Sequence, residues 1–210
     1  LPLVFRMALP AVAAQLVNLL YTLVDRVYIG HIPGIGTDAL AGVGVTSSVI
    51  ILISAFSAIV AGGGAPLAAI ALGQGHRERA GKILSNGFVL LVLFAVVTST
   101  VSYLFMKPIL TSIGASTHTL PYAVDYLSVY LLGTLFVEVA VGLNTFINCQ
   151  GRPGVAMCSV IIGAVLNIVL DPLFIFTFDM GVKGAALATI LSQACSAVWV
   201  LAFLTSKRAS

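Results

Sequence analysis

Charge is what this 210-residue sequence has least of. Only 8% of its residues are Asp, Glu, Lys or Arg, against 60% hydrophobic and a mean hydropathy of +1.12. A soluble domain carries about 25% charged residues, and a soluble chain of this composition would lack the polar surface to cover itself. A soluble enzyme and a disordered tail are therefore excluded. The net charge of +3 comes from basic residues spread over several turns, not from one patch, so a nucleic-acid partner is excluded as well. Three cysteines are too few and too scattered for a disulfide framework or a thiolate metal site. Cys158 and Cys195 sit in apolar runs and read as small packing residues. No GxxxxGK[ST] phosphate loop, HExxH zinc motif or GxSxG turn occurs. ATP is then not the energy source through this chain, and no catalytic residue or organic cofactor is expected. His31, His76 and His118 fall in loops and read as solvated.

Long apolar runs are present in abundance. Crossing a bilayer core takes about 20 residues, and six stretches reach that length, at about 9–29, 39–72, 83–105, 124–146, 155–178 and 185–205. The runs are continuous and do not alternate at every second residue, which favours helices over a barrel. The expected fold is an all-α membrane protein, a six-helix transmembrane bundle in a lipid bilayer. The second stretch is too long for one straight span, and it is expected to have an end outside the membrane or to start later. Pro33-Gly34-Ile35-Gly36, Gly73-Gln74-Gly75, Gly151-Arg152-Pro153-Gly154 and Asp179-Met180-Gly181 mark turns between stretches. Arg6, Arg77, Arg79, Lys82, Arg152, Lys207 and Arg208 fall on one side, Lys107 and Lys183 on the other, and Arg26 at a span end. By the positive-inside rule the N-terminus and the C-terminal end are cytoplasmic. The first residues are too short for a signal-peptide core. The sequence starts without Met and stops just after a span, so it reads as a piece of a longer protein.

Acidic residues inside spans need a reason to persist, since each costs roughly 2.5–3.5 kcal/mol to insert. Asp25, Glu138 and Asp171 are such residues. Asn167 and Asp171 are four apart and share a helix face. Ser159 and Gly163 extend that face with small residues that allow close helix approach. Pro172 leaves the carbonyl of Ile168 without its helical donor. A free carbonyl beside a carboxylate and an amide suits a proton or a small hard cation. Asp25 lies about 6 Å, Asp171 about 10 Å and Thr189 about 6 Å from the outer ends of their spans, so the three share one half of the membrane. Gln15, Asn18, Thr22 and Asp25 form a polar stripe on the first span, and Tyr126, Tyr130, Thr134 and Glu138 one on the fourth. The second stripe could line a cavity for an aromatic cation. Tyr126 reads as an interfacial anchor, Tyr130 stays open, and Glu138 has no obvious partner. Gly62-Gly63-Gly64-Ala65-Pro66 either bends the second helix or only packs closely.

These residues carry a resemblance. Asn167-Ile-Val-Leu-Asp171-Pro172, followed by Gly181-Val-Lys-Gly184-Ala-Ala-Leu-Ala-Thr189, resembles the fifth and sixth helices of the multidrug and toxic compound extrusion (MATE) family. Val24-Asp25-Arg26-Val-Tyr-Ile-Gly30 resembles its first-helix motif. Residues 62–73 are similar to its glycine-proline stretch, and Gln150-Gly151-Arg152-Pro153 to the loop between helices four and five. The resemblance implies one N-terminal six-helix lobe, residues 1–210, of a twelve-helix exporter in a prokaryotic-type cell membrane, with the C-terminal lobe missing. It implies export of small-molecule drugs, often organic cations, in exchange for Na+ or H+. The coupling cation, Na+ where it is a metal, would sit at Asp25, Asn167, Asp171 and Thr189. Gln15, Asn18, Thr22, Tyr130 and Glu138 are candidates for the substrate cavity, and Pro66 and Pro172 for hinges. Two other readings stay open. A flippase for lipid-linked precursors predicts a cationic cavity, for which only Arg26 is available. A non-transporting scaffold needs no ionisable residues at depth.

Overall fold

The computed structural model describes residues 2–206. It holds seven α-helices: α1 (Pro2–Gly30), α2 (Gly36–Gly73), α3 (Arg77–Leu104), α4 (Met106–Ile113), α5 (Leu120–Cys149), α6 (Pro153–Pro172) and α7 (Gly181–Leu204). A π-helical turn, Leu173–Thr177, continues α6, and there is no strand among the described residues. All but α4 are long and apolar enough to cross a membrane, and these six coincide with the six apolar stretches. The eight-residue α4 has no counterpart among them. It is too short to show as an apolar run, and Gly114 stops it in the left-handed conformation, φ +116°, which favours glycine.

α2 does not start late. It begins at Gly36 and runs unbroken through Pro66 for 38 residues, about 57 Å at 1.5 Å per residue. Its buried face explains the continuity: Ala39, Val43, Thr46, Val49, Ile53, Ser57, Val60, Ala65 and Ala68 recur at helical spacing along its length. Gly64 belongs to this packing, because a Cβ there would lie 2.8 Å from the Phe146 ring.

α5 is the centre of the bundle. Of its apolar window 67% is buried, against 6% for α1. Small residues let its neighbours close in. A Cβ at Gly133 would lie 2.3 Å from Ile190 of α7, and one at Gly142 2.6 Å from Leu91 of α3. Gly163 of α6 meets Ser196 of α7 in the same way, at 2.6 Å. One apolar cluster, with Leu91, Leu143, Phe146, Ile147 and Val200, fills the half of the bundle near the α5–α6 turn. Two others, around Ile29, Tyr126 and Ile175 and around Val49, Leu110 and Leu127, fill the opposite half.

The two ends of the bundle differ in charge. The end with the α2–α3 and α5–α6 turns carries Arg77, Glu78, Arg79, Lys82 and Arg152, and is called the basic end here. The far end carries Lys107 and Lys183, the latter 3.3 Å from Asp125. Lys207 and Arg208 lie outside the described residues, as does the side chain of Arg6.

Cys158 and Cys195 are corrected from packing residues to exposed ones. α6 turns Ala156, Ser159, Gly163 and Asn167 inward, and α7 turns Ser192, Ser196 and Val200 inward. Each cysteine sits off its helix's buried face. An all-apolar run conceals which face that is.

Candidate functional site

Three helices bring Asp25, Asn167, Asp171 and Thr189 together near the far end. Asp25 is on α1, five residues before its end, and Thr189 is on α7, eight residues after its start. Asn167 and Asp171 are on α6 one turn apart, so both point at α1 and α7. Asn167 Nδ2 donates to Asp171 Oδ1 at 3.0 Å and to Thr189 Oγ1 at 3.4 Å. Thr189 Oγ1 donates in turn to the carbonyl of Ala185 at 3.0 Å. The carboxyls of Asp25 and Asp171 stand within hydrogen-bonding reach of each other. Asp171 is fully buried, Asn167 2% exposed and Asp25 8% exposed.

This cluster leaves oxygens unsatisfied. Asp25 Oδ1, Asn167 Oδ1 and Asp171 Oδ2 are buried and have no hydrogen-bond partner. Native proteins pair nearly all such atoms. Two adjacent carboxylates also repel when both are ionised. One proton or one small hard cation between them would remove the repulsion and engage the free oxygens. Arg26 does not serve this purpose. Its side chain is exposed and donates to Ser47 Oγ at 3.4 Å. The side-chain set, two carboxylates with an amide and a hydroxyl, consists of hard oxygen donors and fits Na+ or H+.

Toward the basic end, α1, α5, α6 and α7 enclose a cleft of about 210 Å³. Gln15 and Asn18 line it, together with Tyr21, Asn144, Asn148 and Gln193. Among the described residues its lining includes no Asp, Glu, Lys or Arg. Such a wall offers donors and acceptors to a polar or cationic organic molecule without a fixed charge to repel it. Arg152 covers the neighbouring turn, its guanidinium 5.6 Å from the Phe203 ring.

The remaining residues singled out above fall elsewhere. Thr22 is exposed on α1, where its hydroxyl donates to the carbonyl of Asn18, and it does not line the cleft. Tyr130 and Glu138, proposed for a cavity, are 5% and 1% exposed and do not line it either. They face the packed interior, because α5 is covered by other helices there. Glu138 has a partner after all: Ser57 of α2 donates to its Oε2. Tyr126 is corrected from an interfacial anchor to a buried residue, 5% exposed, in reach of Thr189 and Asp25 and stacked on Tyr130. Pro66 lies inside continuous α2, while Pro172 ends α6 where the π-helical turn begins. Sequence reasoning missed Asn144, Asn148 and Gln193. The first two are four residues apart on α5, a spacing that marks a shared face, though Asn148 lies past the end of the fourth apolar stretch, and Gln193 carries no such local signal.

The MatE family model matches residues 10–173. Among curated relatives, "Multidrug export protein MepA" of Staphylococcus haemolyticus is 24% identical over 95% of this chain and 44% of its own length. The "FAD transporter" of Shewanella oneidensis is 28% identical over 89% of this chain and 41% of its own. A solved structure described as an outward-facing multidrug resistance MATE family transporter of the MOP superfamily superposes with a TM-score of 0.90 at 28% identity. It covers 98% of this chain and 45% of that one. The chain thus spans less than half the length of the relatives it matches. With the family model lying over most of its residues, the chain belongs to the MatE, or multidrug and toxic compound extrusion, family of membrane transporters.

Proposed function

We propose that this chain is one lobe of a secondary exporter that expels organic, often cationic, compounds in exchange for Na+ or H+. The observation that carries this reading is the cluster of unpartnered buried oxygens on Asp25, Asn167 and Asp171. In this reading the basic end is cytoplasmic, so the cluster lies near the outside, where the ion gradient delivers its cation. The cation binds between Asp25 and Asp171 and removes their repulsion. α1 is the least buried span and packs chiefly on α6. A change at their shared carboxyls can therefore shift α1 without breaking the core. Because α1 also forms one wall of the amide cleft, its movement reshapes the place where cargo would sit. The test is dye efflux by the full-length protein carrying Asp25→Asn or Asp171→Asn. Each variant is expected to lose efflux while reaching the membrane. Normal pumping by both would sink the reading. Collapsing the Na+ and H+ gradients separately identifies the ion.

A second reading, transport of a phosphate-bearing cargo, draws on the relative named as an FAD transporter. The cleft of this chain opposes it, because among the described residues its wall includes no Lys or Arg to meet a phosphate. Uptake of labelled FAD into vesicles, in the absence of dye transport, would reverse the order.

A further inference from the structure

Glu138 stands apart from the site just described. It lies in the middle of α5, 1% exposed, against Ser57 of α2, which is also 1% exposed. Ser57 donates to Oε2, and Oε1 is buried without a partner. No cation faces it among the described residues. The ionisable side chain of α2, Asp38, is in its first turn. α3 carries Arg77, Glu78, Arg79 and Lys82 at the basic end and Tyr103 at the far end. α4, at the far end, carries Lys107. α6 brings Asp171 near the far end and an exposed Cys158. α7 brings Lys183, held by Asp125, and an exposed Cys195. On α5 itself, Tyr130 is within electrostatic reach of Glu138. An ionised carboxylate in such a place is strongly disfavoured, and packing alone would be better served by Leu or Met.

The same face of α5 leads toward the far end through Thr134, Tyr130 and Tyr126, at steps of four and all buried. Thr134 Oγ1 donates to the Tyr130 carbonyl at 3.4 Å, and the rings of Tyr130 and Tyr126 stack with centroids 6.1 Å apart. Twelve residues of helix, about 18 Å, thus separate Glu138 from Tyr126.

We propose that Glu138 is a second proton-binding site of this chain, apart from the acidic pair, with its Oε2 held by Ser57 and its Oε1 left to carry the proton. Uptake of the proton neutralises the carboxyl at the α2–α5 contact, and its release leaves there a charge that no cation among the described residues meets.

The test is infrared difference spectroscopy of the full-length protein between alkaline and acidic buffer, in H2O and D2O. A protonated-carboxyl band is expected to appear on acidification, to vanish in Glu138→Gln and to persist in the Asp25→Asn, Asp171→Asn double variant. Ser57→Ala should move the band to higher frequency, since the carboxyl loses a hydrogen bond. That variant identifies the band even where Glu138→Gln fails to fold. A spectrum unchanged by both Glu138→Gln and Ser57→Ala overturns the site, and so does a Glu138 band that stays at every pH, the mark of a permanently neutral packing group. The coupling reading fails separately, through normal dye efflux in the aspartate variants.

Discussion

Asp25 and Glu138 are both nearly buried carboxyls inside spans, 8% and 1% exposed, but they sit in opposite kinds of joint. Asp25 belongs to α1, whose other faces expose Leu9, Val12, Leu16, Leu19, Leu20 and Leu23. Glu138 belongs to α5, which α2, α3 and α7 cover on several sides. Neutralising Asp25 acts on a helix held mainly by one neighbour, so it can become movement. Neutralising Glu138 acts on a helix locked by glycine contacts, so it changes energy with little change of shape. The chemistry of the two groups is the same, and packing decides what each can do.

The strongest challenge to that contrast is to overfill the α5 joint. Gly142→Leu sets a side chain where a Cβ alone would lie 2.6 Å from Leu91. Overpacking typically costs about 1–3 kcal/mol and sometimes more, and the upper end is expected here because Leu91 is fully buried. Thermal unfolding in detergent should show it, while Leu20→Ala on the exposed face of α1 should leave unfolding nearly unchanged. Equal effects would erase the distinction between the two helices. A smaller effect on folding is expected at the α1–α6 joint, together with one on function. Asn167→Ala removes the donor to both Asp171 and Thr189. Efflux by the full-length protein should fall about tenfold, the equivalent of one hydrogen bond to a charged group, and the loss of a buried donor should cost about 1–2 kcal/mol of unfolding free energy.

The uneven legibility of the sequence follows the same division. The six helices were readable because each is a long apolar run between turn residues, and Asn167 with Asp171 because a four-residue spacing fixes a common face. Thr189 joined them through depth, a property of distance from a helix end. Tyr126, Ser57 and Gln193 were not readable in their places. Their roles depend on which neighbour each helix faces, and the buried and exposed sides of these helices are almost equally apolar. The exposed Cys158 and Cys195 escaped for the same reason. The uninterrupted run of α2 was hidden by length, since bilayer thickness suggests a limit that packing along its whole face overrides.

Within the α5 joint, polar contacts should matter less than glycine contacts. Ser57→Ala deletes the hydroxyl that donates to Glu138 and leaves both carboxyl oxygens unpartnered. A loss of about 1–2 kcal/mol in unfolding free energy is expected, smaller than that of Gly142→Leu. A larger loss would mean that the carboxyl, rather than the packing, holds α2 against α5.

The smallest effect belongs to the ion pair at the rim of the same joint. Lys183 of α7 reaches Asp125 of α5 at 3.3 Å, but both side chains are about half exposed, 51% and 45%. Exposed pairs contribute roughly 0–1 kcal/mol after solvent screening and side-chain ordering. The close approach of Gly133 to Ile190 already fastens α5 to α7, so Lys183→Met should lower the unfolding free energy by less than about 1 kcal/mol, and added salt should shrink the difference further. A loss several times larger, insensitive to salt, would show that α7 is tied to α5 at its far end by charge. Thr189 would then ride on a helix as conditional in its position as α1, and the contrast between a movable and a fixed half of the site would no longer hold.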